Sequence, residues 1–482
     1  MQVDHPKYAA QSHAVRAALP GILKWSQYIY DTHIGSPTDS KAQRMYLHAL
    51  SKFLRAFNHG YTSAVAMANV TGFLELAAKL WVWDEDPAAS HALGVLLKYS
   101  TELGQTDAYD RMVEATDGDG EFVFNLVLRR TKTAIKRFDS PDSHTNLGCC
   151  ILLMNDLLEP QAHALRRAFH DAGGFKTITR SFLALSRTIS ESRDSTRVQI
   201  ALVSSYITFF SNHLEHGDYL SVVHAFKTGF LRAFIDCSPA FQRLEPSALT
   251  LAAGIVRRMT PYLVYHSFID QVAPLLEDLD RQRLSAQLPP PIQTELSRFW
   301  SVLSGHVNAL GDPGEEARTC MCENTQCRRP DTEQSFKLCT ACQAAYYCSP
   351  ECQRIDWEAH HTDFCASMKQ ESPCGRRRRR DITSLQTLGQ RIFNRNSAGL
   401  HAIAARHFPD TPLGELVPVL DLTCFPPRYS VQTLQSAIGH RDGYELLAEK
   451  CRAREATLVS CFRRDGASSG DAVWLTTGKE NL

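Results

Sequence analysis

A chain of 482 residues is too long for one hydrophobic core and points to several domains. Apolar residues at 44% and charged residues at 22% exclude wholesale disorder, and a formal net charge of zero argues against long-range attraction to nucleic acid or to an anionic membrane. No apolar run nears the ~18 residues of a membrane span and the N-terminus lacks the basic-then-apolar order of a secretory signal, so the expectation is an intracellular protein, cytoplasmic or nuclear, with no membrane and no direct nucleic-acid contact.

Residues 1–310 read as a helical scaffold domain. In "VTGFLELAAKLWVW", Phe73, Leu76, Leu80 and Val82 or Trp83 fall near one helical face, with Trp81 and Trp83 expected in the core; "GFKTITRSFLALSRTI" does the same with Phe175, Ile178, Phe182 and Leu185. Turn signals separate such windows at 117–121, 140–143 and 215–218. A Gly-Phe start recurs in "TGFLELAAKL" at 71–80, "GGFKTITRSF" at 173–182 and "TGFLRAFIDC" at 228–237. Armadillo- or HEAT-type repeats run ~40–47 residues, and these starts lie 102 and 55 apart, so a degenerate helical repeat and an irregular helical domain both stay open. The prolines of "LPPPIQ" at 288–293 stop the pattern, and a helix from about Ile292 to Val307 then leads to the boundary "GDPGEEAR" at 311–318.

Residues 320–365 hold the densest chemistry. The ordered pairs are Cys322/Cys327, Cys339/Cys342 and Cys348/Cys352, followed by His360 or His361 with Cys365. In a reducing compartment clustered cysteines signal metal rather than disulfides. Eight such ligands suit two tetrahedral zinc ions, and a segment this small needs the metal to fold. "CSPECQRIDWEAH" reads as a short helix with Ser349 as cap, Pro350 in its first position and Glu351 at its positive end. On an α-helix Cys352 and His360 sit about 80° apart, so they could face different ions.

These residues carry a resemblance. "CENTQC", "CTAC", "YYCSPECQRIDWEAH" and Cys365 together resemble the MYND-type zinc finger. The resemblance implies interleaved sets: Cys322, Cys327, Cys348 and Cys352 around one structural zinc, and Cys339, Cys342, His360 and Cys365 around the other. His360 keeps the family's seven-residue gap from Cys352 and is preferred. His361 is the alternative, giving the usual three-residue gap to Cys365, and Cys320 is the alternative to Cys322. In peptide-binding members, residues matching Thr340, Gln353 and Trp357 line a groove for proline-containing segments; packing of Trp357 in the finger's own core is the competing reading. The chain's "LPPPIQ" and "CFPPRY" are candidate internal occupants. The overall layout also resembles that of fungal MYND-domain proteins without assigned activity.

After the finger, residues 366–381 form a basic linker in which Arg376–Arg380 reads as a nuclear import signal, an anion patch or a solvated run. Residues 382–482 read as a small α+β module: strands at "LVPVLDLTCF" and "ATLVSCF", a helix-like stretch between Val431 and Cys451, and "AVWLTTG" pairing with "ATLVSCF" as a hairpin. The fold class is therefore mainly α, with a two-zinc finger and a small mixed module.

Enzyme readings fare poorly. SET-type lysine methyltransferases, which can carry this finger, have an "NHSC"-like segment that is missing here. "GASSG" at 466–470 matches a nucleophile elbow in form, but the residues after Ser468 are strand-like and no histidine comes after residue 440. No phosphate loop of the G-x4-GK[ST] form occurs. Cys149-Cys150 precedes an apolar run and reads as buried in a helix rather than as a redox pair. The expected function is non-enzymatic: a scaffold with protein partners, among them proline-rich segments. The alternative is an enzyme with an active site outside the finger.

Overall fold

The computed structural model describes residues 6–35, 41–57, 61–138, 141–159, 164–191, 195–214, 219–278, 288–310, 319–362 except 325, 328, 333–334 and 343–344, residue 365, 379–438 except 425, and 457–476 except 466–467. It separates into two compact units, one of residues 1–216, 224–252 and 282–289, the other of residues 217–223, 253–281 and 290–482.

The first unit is built of helices. Pro141–Leu157 lies at its middle, packed by Pro87–Glu102, Gly120–Lys136 and Arg197–His213. Its two adjacent thiols are buried as expected, and burial pushes Cys149 up to about 11 and Cys150 up to about 12, which leaves both as inert thiols at neutral pH. Phe73, Leu76 and Leu80 bury one face of Phe73–Trp83, and Phe175, Ile178, Phe182 and Leu185 one face of Gly174–Glu191. Trp81 is fully buried, donates from its indole to Ser90 and carries the Arg130 guanidinium over its ring at 5.0 Å. Trp83 is a correction: it is 58% exposed, at the last position of its helix and just past the edge of the buried face. Helix starts follow sequence chemistry. Asp86 caps ahead of Pro87, Asp119 accepts from Phe122 N–H, and Thr196 with Gln199 forms a reciprocal capping box.

The Gly-Phe echo has a local cause. Gly72, Gly173 and Gly229 all adopt positive φ, at 110°, 69° and 106°. The amides of Gly173 and Gly229 close the preceding helices onto His170 and Phe226 carbonyls, and a new helix starts at once with a buried phenylalanine. The echo marks tight helix-to-helix corners, which need no fixed spacing. Of the other two turn signals, that at 215–218 lies outside the described residues and that at 140–143 partly so.

In the second unit, helix Pro290–Leu310 begins inside "LPPPIQ", whose Leu288 and Ile292 are buried. It packs against the long helix Arg379–His407, which also covers His266–Asp278 and the strands next in the chain. This long helix was not expected from the sequence. It starts within the stretch read as basic linker, and Asp381 at its first turn is only 1% exposed. Asp381 accepts hydrogen bonds from the Ser267 backbone amide at 2.6 Å and hydroxyl at 2.7 Å, so its carboxylate caps the start of His266–Asp278 from 114 residues away.

The C-terminal sheet has four strands: β5 (Leu416–Asp421), β6 (Arg428–Thr433), β7 (Thr457–Asp465) and β8 (Ser468–Thr476), in the order β6-β5-β7-β8. The expected hairpin is present as the antiparallel pair β7–β8, and the formal elbow serine, Ser468, begins β8. β5 is parallel to β7 and buried along Leu416–Leu420, the continuous apolar signature of an inner strand. The helix-like stretch from Val431 is corrected in part. Residues 428–433 pair with β5 as a strand, Leu434–Ile438 is a short helix, and 439–451 lie outside the described residues. Val431 is the one buried residue of this edge strand, so the segment lacks the alternation that would have marked it as a strand.

Candidate metal centres

Two short antiparallel pairs set the ligand loops: β1 (Thr319–Met321) with β2 (Pro330–Thr332), and β3 (Lys337–Leu338) with β4 (Tyr346–Tyr347). The Cys322–Cys327 loop is tightened by Asn324, which is buried. Its carboxamide accepts from Gln326 N–H and its carbonyl from Cys327 N–H. The Cys339–Cys342 turn is closed by Cys339 N–H donating to Ala345 C=O at 2.9 Å. Ser349 caps the helix Pro350–Asp356 by accepting from Cys352 N–H, as its sequence position suggests.

These loops bring together two sets of side chains. Cys322, Cys327, Cys348 and Cys352 form one, and Cys339, Cys342, His361 and Cys365 the other, each with all ligand atoms within 4.8 Å. In the first, Cys348 Sγ lies 3.5 Å from both Cys327 Sγ and Cys352 Sγ. A zinc tetrahedron with 2.3 Å bonds to sulfur has edges of about 3.8 Å. In the second, His361 Nε2 lies 3.5 Å from Cys342 Sγ, against about 3.6 Å for the mixed edge of such a site. Four-sulfur and three-sulfur, one-imidazole sets are both zinc chemistry, and each is complete in itself. The two sets fit two structural zinc ions, and neither keeps a position for substrate water.

His361, not the preferred His360, closes the second set. The α-helix of Pro350–Asp356 widens into a π turn over Trp357–His361, with the Thr362 hydroxyl reaching back to the Trp357 carbonyl. One turn of this kind inserts an extra residue, so the place that uniform α geometry assigns to position 360 passes to position 361. With His361 the gap to Cys365 becomes three residues. Cys320, the alternative to Cys322, lies in β1 opposite Asp331, and Cys322 itself completes the first set. His361→Ala is expected to lower the zinc content from about two per chain to one, whereas His360→Ala retains both; metal analysis on the purified variants reads the difference.

The thiols of the first set differ in acidity. Burial pushes the Cys322 thiol up to about 12. Burial also opposes ionisation of Cys352, but hydrogen bonds from Ser349, Cys348, Cys327 and Asn324 outweigh it and bring that thiol down to about 7. A metal ion held by all four would keep them as thiolates together.

Around the ligands Phe336, Ala345, Tyr346 and Tyr347 form the finger's small core. Tyr347 is buried and donates to Asp356 at 2.7 Å, joining β4 to the end of the finger helix. Burial and that carboxylate hold its phenol well above the usual range, so it stays a donor. Asn324 and the Tyr347–Asp356 pair were not singled out in the sequence. The signal was there, in "CENTQC" as an Asx turn and in the paired aromatic and acid of "YYC" and "DW".

Of the residues of the expected groove, Thr340 and Trp357 lie beside the second set. Thr340 is exposed between Cys339 and Cys342, Gln353 is half-buried on the helix, and Trp357 is 39% exposed with its ring 5.7 Å from that of His361. Trp357 stands outside the finger's buried core, so it is not the core filler of the competing reading.

Residues 321–365 match the family model of the MYND finger. The protein thus carries a MYND zinc finger, a domain generally used for protein–protein interaction. The chain is similar to F-box protein At5g50450 of Arabidopsis thaliana, at 39% identity over 49 residues, which is 10% of this chain and 15% of that protein. No solved structure matches it.

Proposed function

We propose that this is a non-enzymatic interaction protein whose MYND finger accepts proline-containing peptide segments of the PxLxP type over Thr340, Gln353 and Trp357. The observation that carries the reading is the placement of Trp357. Phe336, Tyr346 and Tyr347 are buried, while Trp357 leaves a large part of its indole in solvent beside a ligand histidine. A zinc-fixed backbone holds that indole in place, and an aromatic surface takes a proline-rich segment at low entropic cost because the segment arrives partly ordered. Closed metal sets support a structural rather than catalytic role for the zinc. Of the chain's own proline segments, "LPPPIQ" is engaged at a helix start, whereas Pro426 of "CFPPRY" is exposed between β5 and β6.

The expected affinity is micromolar, ~8 kcal/mol. Fluorescence anisotropy with a labelled PxLxP peptide and the full chain is the measurement. Trp357→Ala should lose binding at least tenfold with both zinc ions retained. An unchanged affinity, or none for the parent chain at millimolar peptide, would overturn the reading.

A further inference from the structure

The finger's charge is not visible in the chain's overall neutrality. Residues 321–365 contain seven Asp and Glu against four Lys and Arg, a formal balance of −3. The two ligand sets hold seven cysteines. As thiolates around two Zn2+ they contribute a further −3, two from the four-sulfur set and one from the set with His361. The zinc-loaded finger therefore carries about −6, on a chain whose other residues sum to +3.

Part of this charge reaches the surface. Cys327, Cys342, Cys348 and Cys352 are only half-buried, so the metal–thiolate charge is not sealed inside. Glu351 and Glu358, one on either side of Trp357 in sequence, are exposed. They hold Arg354 between them at 2.5 and 2.8 Å, which occupies the finger helix's single cation and leaves the trio net negative. Arg329 and Lys337, the other described cations of the finger, lie on its loop and strand rather than on this helix.

We propose that the segment accepted by the finger is basic as well as proline-containing, with Lys or Arg directly flanking the proline core. This rests on the peptide reading of Thr340, Gln353 and Trp357. The core would be held by the indole, and the flanks by the field of the thiolates and glutamates within about one Debye length, ~10 Å at 0.1 M salt. The same field disfavours acidic segments and the phosphate backbone of nucleic acid.

The experiment uses the zinc-loaded full chain and four labelled peptides: one PxLxP core flanked by serines, by arginines or by glutamates, and the arginine-flanked peptide with both prolines changed to alanine. At 50 mM salt the arginine-flanked peptide should bind about tenfold tighter than the serine-flanked one, and the glutamate-flanked peptide about tenfold weaker. At 0.5 M salt the spread should shrink below about threefold. Glu351→Gln with Glu358→Gln should reduce the arginine advantage about threefold while zinc content and serine-flanked affinity hold. Equal binding of the three flanked peptides overturns this inference and leaves the groove standing. Equal binding of the alanine-substituted basic peptide also overturns it, as plain charge attraction. Binding of none overturns the groove as well.

Discussion

Cys348→Ala should reduce the zinc content from about two per chain to one or none and unfold the segment 320–365, with most of the helical circular dichroism intact. Cys348 touches two of its three partner thiols at 3.5 Å, so its loss opens the first set at the middle. Structural zinc contributes ~10–16 kcal/mol to the folding of small fingers, far above what this core of four non-cysteine residues supplies. The sets are interleaved: β4 leads into Cys348, and the helix carrying Cys352 runs on to His361. Disorder at the first set therefore loosens the second. The helices of the first unit share none of these ligands. Metal analysis finding two zinc ions in the variant, or one in the parent, would contradict this account.

Asp381→Ala should destabilise the second unit by about 3 kcal/mol, read as a lower urea midpoint and as faster amide exchange over His266–Asp278. The carboxylate is the acceptor for two buried donors of Ser267, and leaving each without it costs about 1–3 kcal/mol. The charge also sits at the positive end of that helix, an interaction of about 0.3–1 kcal/mol. Asp381→Asn keeps one carboxamide acceptor and should lose less. A midpoint within the equivalent of ~0.5 kcal/mol of the parent would show that water replaces the carboxylate.

The contrast between Cys348 and Asp381 explains what could be read from the sequence. Ligand spacing is local: a loop of a few residues must aim two sulfurs at one point, and "CENTQC", "CTAC" and "CSPEC" state this directly. Strongly one-sided helices, such as Gly174–Glu191, were legible for the same reason, as was the β7–β8 hairpin across its Gly/Ser loop. His361 was displaced by one position because a π turn leaves no mark in residue type. Helix Arg379–His407 was hidden by its first residues, where an arginine run reads as linker although Leu385, Leu388 and Leu400 behind it are buried. Asp381 could not be assigned a partner at all, since nothing in its own neighbourhood points to Ser267. The parallel pairing of β5 with β7 is non-local in the same sense.

The finger lies in the chain between two helices that pack on one another, Pro290–Leu310 and Arg379–His407. Docking them closes a loop of roughly 68 residues, and a metal network joining Cys322 to Cys365 shortens its effective length to about 25, which lowers the closure cost by about 0.9 kcal/mol. Zinc is thereby a stability input for a helical pair it never contacts. Its loss should reduce the docked population about four- to fivefold relative to the undocked one, through polymer statistics alone.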